Sequence, residues 1–214
     1  MTHSVKLIHI TPNAEQLIAY MARVSNPANQ NNTETSAKLI KYLIDHKHWS
    51  PFEMVNMCVE IETTRSVAAQ ILRHRSFSFQ EFSQRYAEVT AKPVVPELRR
   101  QDPKNRQNSI DDITKDVQDV MDAIITEHFD DAIELYESLI KAGVAKECAR
   151  DVLPLGTPTR LYMNGTIRSW LHYCQLRCAN GTQKEHQIIA REVYKLLEEH
   201  VPNVCVSLGI EWFT

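Results

Sequence analysis

Fourteen residues, from Arg73 to Tyr86, hold most of the side chains in this chain that could bind a ligand. The stretch reads RHRSFSFQEFSQRY and contains three arginines, a histidine, a glutamate and three serines. The planar guanidinium groups of Arg73, Arg75 and Arg85 present paired N–H donors that suit a phosphate or a pyrophosphate. Glu81 can accept hydrogen bonds from a sugar hydroxyl or a ring N–H, and serine hydroxyls can donate to phosphate oxygens. We therefore expect this stretch to surround a ligand that is both anionic and planar.

A predicted helix leads into this stretch and adds one more candidate. Thr63 or Thr64 can begin the helix, which is predicted to run to about Arg73. Gln70 and Arg73 are three residues apart, so one helix would place both on the same face. Beyond Arg73 the chain becomes polar and is predicted to leave the helix, and His74 there can stack on a ring or donate to one.

Strands and helices that alternate along the chain must position these residues, and they predict a single α/β (α+β) domain over residues 1–214, with one central sheet and packed helices. Alternating apolar residues predict strands at 5–10, 54–61 and 159–163. Apolar residues at helical spacing predict helices at 14–24, 36–46, 64–73, 146–153, 166–178 and 183–200, and one long helix at 110–142. Pro202 is predicted to end the last helix, and the proline-containing, highly charged residues 92–108 are predicted to form a loop.

The composition argues against several classes of protein. The net charge of −3 argues against binding nucleic acid through overall electrostatics. No apolar run is long enough to span a bilayer, and the first residues lack the apolar core of a signal peptide. The five cysteines show no paired framework, which indicates reduced thiols. We therefore expect a cytoplasmic protein that binds neither nucleic acid nor a membrane.

A metal site would have to use Cys174, Cys178 and the nearby His172, which share a predicted helix. The chain offers no second ligand pair with the spacing of a zinc site. We therefore predict buried thiols at these positions and no bound metal.

The order of residues in the stretch from Arg73 to Tyr86 resembles the signature of flavin-dependent thymidylate synthases. That signature is Arg-His-Arg, two residues, Ser, one residue, Asn-Glu, one residue, Ser, one residue and Arg-Tyr. This chain departs from it at Gln80, where the family usually has Asn; Gln keeps the amide and adds one methylene group. The matching positions are Arg73, His74, Arg75, Ser78, Glu81, Ser83, Arg85 and Tyr86.

Four other segments resemble the same family in the same order. They are residues 22–25 (ARVS), 48–53 (HWSPFE), 149–155 (ARDVLPL) and 166–177 (TIRSWLHYCQLR). In the last segment Thr166 replaces a common Asn, and His172 stands where Asn or His is usual. Gly181 lies where many members have a histidine, so that flavin contact is not carried over. The resemblance covers about residues 20–200.

The resemblance implies a specific reaction. In it, dUMP becomes dTMP, 5,10-methylenetetrahydrofolate supplies the carbon, and FADH2 supplies the hydride, so that tetrahydrofolate is the folate product. NADPH then regenerates the reduced flavin. No cysteine lies inside the signature, which fits chemistry carried by the flavin rather than by a cysteine nucleophile. Arg177 is implied as the catalytic residue, because a guanidinium near the uracil carbonyl would stabilise negative charge as C5 becomes nucleophilic.

The resemblance also assigns the remaining candidates to two ligands, and it implies a homotetramer with sites shared between chains. The residues expected to bind dUMP are Gln70, Arg73, Glu81, Phe82, Ser83, Gln84, Arg85, Arg150 and Arg177. The residues expected to bind FAD are His48, Ser50, Arg73, His74, Arg75, Ser78, Gln80, Glu81, Thr166, Arg168 and His172.

The spacing within the helix predicted at 166–178 places its two key arginines on opposite sides. Arg168, His172 and Gln175 follow the pattern i, i+4, i+7 and share one face. Arg177 comes nine residues after Arg168, about 180° around the helix axis. One straight helix therefore cannot aim both arginines into one side of a pocket. They serve two ligands or sites in different subunits, or Arg177 lies on the solvent side of a plain amphipathic helix.

Two other kinds of function remain open from the residues alone. A regulatory module could use the same residues to bind a nucleotide or a flavin without turnover. An RNA- or DNA-binding protein could combine the arginines with Phe77, Phe79, Phe82 and Tyr86 as stacking surfaces. The acidic net charge and the absence of a wider basic stripe disfavour that second alternative.

Overall fold

Four strands form one sheet, which carries four of the candidate residues: Ser78, Gln80, Glu81 and Thr166. The computed structural model describes residues 3–209. The strands are β1 (Ser4–Ile10), β2 (Asn56–Thr64), β3 (Ser78–Glu81), β4 (Arg100–Gln101), β5 (Ser109–Ile110) and β6 (Pro158–Thr166). The sheet has the order β1-β2-β6-β3, while β4 and β5 form a separate antiparallel pair in which Arg100 lies opposite Ile110.

Helices make up most of the remaining regular structure. They are α1 (Ala14–Ala22), α2 (Ser36–Asp45), α3 (Arg65–Ile71), α4 (Lys115–Lys141), α5 (Lys146–Ala149), α6 (Ile167–Arg177), α7 (Lys184–His200) and α8 (Pro202–Leu208). Short 3₁₀ turns occupy Pro27–Asn29, Ser50–Glu53 and Arg150–Val152. The predicted α/β fold, with one central sheet and one long helix, is confirmed. Between residues 3 and 209, no helix combines the length and the apolar character needed to cross a membrane.

The long helix begins later than the apolar pattern predicted. Ile110 belongs to β5, and Thr114 adopts extended backbone angles (φ −67°, ψ 151°) immediately before the first helical residue. The predicted start of this helix at residue 110 is therefore wrong: residue 110 ends a strand, and the helix begins at Lys115. The end of α4 follows the prediction, because Gly143 takes a positive φ of 80° that a glycine adopts without strain.

Four elements were missing from the sequence-based description: β3, α8, and the strands β4 and β5, of which β4 lies inside the predicted loop 92–108. The four residues of β3 lie inside the polar signature, where no apolar alternation of useful length marks a strand. Pro202 ends α7, as predicted, and it is also the first residue of α8. Proline is favoured at the first position of a helix because its missing N–H would have no intrahelical partner there.

The chain forms two compact units, each built from separate stretches of sequence. The first unit comprises Glu62–Arg73 and Gln80–Leu161. The second unit comprises His3–Ile61, His74–Phe79 and the described residues from Tyr162 onward. That residues 1–214 act as a single domain stays a prediction.

The first unit has a small core. In α4, Tyr136 is the buried residue among the described positions, and its hydroxyl accepts a hydrogen bond from the Val89 N–H at 3.0 Å. The backbone at Gly156 lies so close to Val94 that an added Cβ would be 2.8 Å from the Val94 carbonyl oxygen. A glycine at position 156 therefore allows the chain around Val94 to pack against the segment that leads into β6.

The second unit has a larger aromatic core. Trp170 and Tyr173 of α6 are fully buried, together with Phe52. The Trp170 indole N–H donates to the Met57 carbonyl at 2.9 Å, which fixes α6 against β2. Burial of each such aromatic side chain contributes about 3 kcal/mol. Glu15 accepts from the Val204 N–H at 3.0 Å near the start of α8, and the same N–H also donates to the Val201 carbonyl at 3.1 Å.

Candidate functional site

The predicted site residues divide between the two units. The first unit holds Gln70, Arg73, Gln80, Glu81, Phe82, Ser83, Gln84, Arg85 and Arg150. The second unit holds His48, Ser50, His74, Arg75, Ser78, Thr166, Arg168, His172 and Arg177. With the exception of Gln80, every candidate in the first unit had been assigned to dUMP, and the second unit holds most of those assigned to FAD.

Glu81, the last residue of β3, is held from two sides in the first unit. Its Oε1 accepts from Arg65 Nη1 at 2.7 Å and from Thr159 Oγ1 at 3.0 Å. Arg65 begins α3 and Thr159 lies on β6, so a helix and a strand fix this carboxylate. Both bonds end on Oε1. Glu81 Oε2 has no hydrogen bond within residues 3–209 and can accept one from a ligand. Sequence reasoning missed Arg65 because its partner is sixteen residues away on another element.

Arg85 and Arg150 meet at Glu147. Arg85 Nε donates to the Glu147 carboxylate at 3.2 Å, and Arg150 Nε donates to the Glu147 backbone carbonyl at 3.2 Å. The short helix α5 carries Glu147, and the 3₁₀ turn that follows it begins at Arg150. Because both bonds use Nε, the terminal N–H groups of each guanidinium can still bind an anion in a bidentate way. The pairing with Glu147 had no signal in the sequence.

Arg73 lies just past the end of α3. The helix ends at Ile71, and the Arg73 N–H donates to the Gln70 carbonyl at 3.3 Å in a tighter, 3₁₀-type turn. The prediction of a regular helix to Arg73 is therefore wrong at its last turn. The exposed side chain of Arg73 has no hydrogen bond or ion pair with any residue from 3 to 209.

Gln84 is the most deeply buried of the candidates in the signature. Its side chain is 6% exposed, and its amide Nε2 has no hydrogen-bond partner among the described residues. A buried donor without a partner is costly, on the order of 1–3 kcal/mol, so this amide is a candidate donor to a ligand oxygen. The neighbouring Phe82 is exposed, Ser83 is half-buried and Gln80 is exposed.

One face of α6 lines a cavity of about 410 Å³ in the second unit. Arg168, His172 and Gln175 lie along it, which confirms the shared face predicted from their spacing. Arg168 pairs with Glu53 of the Ser50–Glu53 turn. The remaining lining residues are Trp49, Ser76, Ser169 and Leu171.

Arg177 points elsewhere, as the helical period predicted, and contacts His74. Its Nε donates to His74 Nε2 at 2.8 Å. Burial, followed by the nearby charges of Arg177 and His172, lowers the pKa of His74 to about 4. His74 is therefore neutral near pH 7, with Nε2 free of a proton so that it can accept this bond.

The remaining candidates of the second unit are placed as follows. Thr166 caps α6, since its Oγ1 accepts from the Ser169 N–H at 3.2 Å. His48 is exposed and its ring lies 6.1 Å from that of Tyr42. Ser50 begins the 3₁₀ turn that ends at Glu53. Arg75 is exposed and has no hydrogen bond or ion pair with residues 3–209, and Ser78 is exposed at the start of β3.

Sequence reasoning missed two residues beside His74. Tyr173 of α6 and His186 of α7 are both fully buried, and the Tyr173 hydroxyl lies 3.0 Å from His186 Nε2. The burial of His186 had a signal, because Ile189, Ala190 and Val193 continue the same helical face. Its proximity to His74 had none.

Metal ligation has no support from the arrangement of side chains. Within residues 3–209, no group of three or more histidine, cysteine or acidic side chains is placed to hold a metal ion. Cys174 and Cys178 are buried, and the Cys174 thiol donates to the Ala190 carbonyl at 3.8 Å.

Comparison with known proteins identifies the family. Residues 6–203 match the family described as thymidylate synthase complementing protein, Thy1. The chain is 49% identical over 96% of its length to a probable flavin-dependent thymidylate synthase of Paramecium bursaria Chlorella virus 1, of which it covers 98%. It is 50% identical over 92% of its length to the flavin-dependent thymidylate synthase of a Synechocystis strain, of which it covers 90%.

A solved structure supports the same relationship. The UMP/dUMP methylase PolB from Streptomyces cacaoi, bound with 5-Br dUMP, superposes with a TM-score of 0.86 at 28% identity. The match covers 97% of this chain and 94% of that protein. With a family match that spans almost all of its described residues, this chain belongs to the thymidylate synthase complementing protein family.

Proposed function

We propose that this chain is a flavin-dependent thymidylate synthase that converts dUMP to dTMP. In this proposal 5,10-methylenetetrahydrofolate donates the carbon, FADH2 donates the hydride, NADPH regenerates the reduced flavin and tetrahydrofolate leaves. Two relatives at about half identity over nearly the whole chain carry this name. The structural observation that carries the proposal is the meeting of Arg85 and Arg150 at Glu147, with their terminal N–H groups available for a phosphate.

The first unit would hold the nucleotide. The guanidinium groups of Arg85 and Arg150 suit the phosphate, because each can donate two parallel hydrogen bonds to its oxygens. The unpartnered amide of Gln84 offers a buried donor, and Glu81 Oε2 offers an acceptor for a sugar hydroxyl or a ring N–H. Gln70, Arg73, Phe82 and Ser83 complete the proposed dUMP-binding set.

The second unit would hold the flavin. The cavity on α6 offers the positive charge of Arg168, the ring of His172 and the aromatic face of Trp49, which suit a pyrophosphate and a planar ring. These residues therefore fit the group chemically. When bound, FAD supplies the redox chemistry of the reaction. His48, Ser50, His74, Arg75, Ser78 and Thr166 complete the proposed set in this unit. The other residues that the resemblance assigns to FAD, Arg73, Gln80 and Glu81, belong to the first unit.

Arg177 is the proposed catalytic residue. Its guanidinium would stabilise the negative charge that develops on the uracil ring as C5 becomes nucleophilic. The bond from Nε to His74 leaves its terminal N–H groups available for that purpose.

A homotetramer, with sites built from more than one chain, is part of the proposal. Val117, Val120, Met121 and Ile124 form an apolar stripe on α4 at helical spacing, and each is between 42% and 57% exposed. An apolar stripe of this kind on a long helix supports burial against another copy. The cytoplasm is the proposed location, because all five cysteines carry free thiols.

An anaerobic assay tests the proposal. Purified protein is incubated with dUMP, methylenetetrahydrofolate, NADPH and added FAD, and dTMP is measured while the flavin absorption band is followed. We expect NADPH to bleach the band and dTMP to accumulate. Protein that binds dUMP and flavin but forms no dTMP would be the regulatory module instead.

A further inference from the structure

The buried histidine of α7 has no role in the reaction as proposed. His186 is 0% exposed, and its Nε2 lies 3.0 Å from the Tyr173 hydroxyl. Its Nδ1 is buried and has no partner among residues 3–209. A polar ring placed in a core at this cost is retained when it holds something else in position.

The ring pair contacts His74 directly. The Tyr173 and His74 rings meet edge to face, with centroids 4.9 Å apart and an interplanar angle of 73°. The His186 ring lies perpendicular to His74 at 6.3 Å. Edge-to-face contacts constrain the tilt of a ring, so Tyr173 and His186 limit the orientations open to His74.

A second pair of rings, Phe77 and Trp170, extends the cluster. Phe77 lies 6.3 Å from His74 and 4.6 Å from Trp170, whose indole is anchored to the Met57 carbonyl. Phe77 can occupy this position because residue 165 is a glycine. His74 is therefore half-buried against these rings, with its Nε2 directed at Arg177.

The bond from Arg177 sets a chemical requirement on His74. An imidazole nitrogen accepts a hydrogen bond only when it carries no proton, so Nε2 must be bare and the single proton must reside on Nδ1. Turning the ring over by 180° would place the Cε1–H group where Nε2 now lies and break the bond. The direction of the Arg177 guanidinium thus depends on which way His74 faces.

We propose that Tyr173 and His186 are positioning residues, whose mutual hydrogen bond holds His74 with Nε2 towards Arg177 and so directs the Arg177 guanidinium. Burial keeps both members in the neutral state this requires: it lowers the pKa of His186 to about 3 and raises that of Tyr173 well above its usual value. The positioning itself is independent of the reaction; its consequence for turnover rests on the proposed function.

Three variants and a control test the proposal. Tyr173→Phe removes only the hydroxyl, and His186→Leu removes both ring nitrogens. His186→Gln keeps a polar group that can still reach Tyr173. Tyr194→Phe is the matched control. It removes the hydroxyl of a second buried tyrosine, which lies on α7 and makes no contact with His74 among the described residues.

The direct readout is the state of the His74 ring. Imidazole nitrogen shifts are recorded near pH 7 on full-length protein with ¹⁵N-labelled histidine, and the His74 signals are assigned with a His74→Gln sample. In the unmodified protein we expect a single tautomer with a bare Nε2. In Tyr173→Phe and His186→Leu we expect His74 to show a mixture of tautomers. In His186→Gln and in the control Tyr194→Phe we expect the same single tautomer as in the unmodified protein.

The kinetic readout separates positioning from structure. We expect Tyr173→Phe to lower kcat about tenfold, because a misdirected catalytic group costs rate, while KM for dUMP stays within about twofold. The kcat of the double variant Tyr173→Phe/His186→Leu should fall no further than that of the worse single variant, because both substitutions remove the same hydrogen bond.

An unchanged His74 tautomer in folded Tyr173→Phe would overturn the proposal and leave the pair as an ordinary core hydrogen bond. Tyr173→Phe decides alone if His186→Leu does not fold. If the protein makes no dTMP, the proposed function fails, and the nitrogen shifts still decide the positioning.

Discussion

The two units hold their candidate residues in opposite ways. In the second unit, His74 and Arg177 are joined by a hydrogen bond and backed by rings that are 0% exposed. In the first unit, the ion pair between Arg85 and Glu147 has side chains that are 55% and 54% exposed. Such a pair contributes little to stability, from about zero to 1 kcal/mol, and an incoming phosphate can displace it. The comparison indicates a fixed arrangement around His74 and Arg177 in one unit and an exposed, easily displaced ion pair around Arg85 in the other.

Removing Arg177 should produce the largest effect in either unit. We expect Arg177→Ala to lower kcat by about 100-fold or more, because one donor to a developing negative charge is lost. The affinity for dUMP should change much less, since the residues proposed to bind the phosphate belong to the first unit. Rapid-quench measurement of dTMP formation checks the rate, and equilibrium titration checks dUMP binding. Full turnover in Arg177→Ala would remove this arginine from the chemistry.

Acid should destabilise the buried histidine cluster. Burial lowers the pKa of His186 to about 3 and of His74 to about 4, from an unfolded value of 6.5. From pH 6.5 down to these values, both histidines are protonated in the unfolded chain and neutral in the folded chain. The free energy of unfolding therefore falls as the pH falls. We expect His186 alone to cause a loss of about 2 kcal/mol from pH 7 to pH 5, and the half-exposed His74 to add less because solvent screens it; urea unfolding at fixed protein concentration measures the sum. His186→Gln should flatten this dependence, and an equal slope in that variant would contradict the assignment.

Gly165 tests how tightly the ring cluster is packed. An added Cβ would lie 2.4 Å from the Phe77 ring, so Gly165→Ala must displace Phe77. We expect a loss of about 2 kcal/mol in the free energy of unfolding, as for other overpacked cores. Gly181→Ala is the matched control, because nothing lies within 4 Å of its added Cβ. A Gly165→Ala protein as stable as the control would show that the cluster is looser than described.

Arg150 tests the adaptable side of the comparison. Arg150→Ala should weaken dUMP binding about tenfold, since a charge-assisted bond to phosphate is lost. Arg150→Lys should recover only part of this, because an ammonium lacks the planar fork. Binding of deoxyuridine, which has no phosphate, should be the same in all three proteins. Equal losses for dUMP and deoxyuridine would mean that Arg150 contacts something other than the phosphate.

Local periodicity predicted part of this arrangement well. The common face of Arg168, His172 and Gln175, and the opposite direction of Arg177, follow from the helical period alone. The alternation of Met57, Val59 and Ile61 likewise predicted the buried face of β2. These features depend on residues that are close in sequence.

Long-range pairings could not be predicted in the same way. Glu147 lies 62 residues from Arg85, and Arg177 lies 103 residues from His74. No local pattern encodes such a meeting, which depends on how whole elements pack. The same reason explains why β3 was missed, since a four-residue polar strand is defined by its neighbour β6 rather than by its own sequence.

The central proposal is that Arg150 binds the phosphate of dUMP and that Arg177 acts in catalysis. Its most direct test is the single-turnover rate of dTMP formation at saturating dUMP in Arg150→Ala and Arg177→Ala. We predict that saturating dUMP restores the rate of Arg150→Ala nearly to that of the unmodified protein, while the rate of Arg177→Ala stays low. A slow Arg150→Ala beside a recovered Arg177→Ala would contradict it.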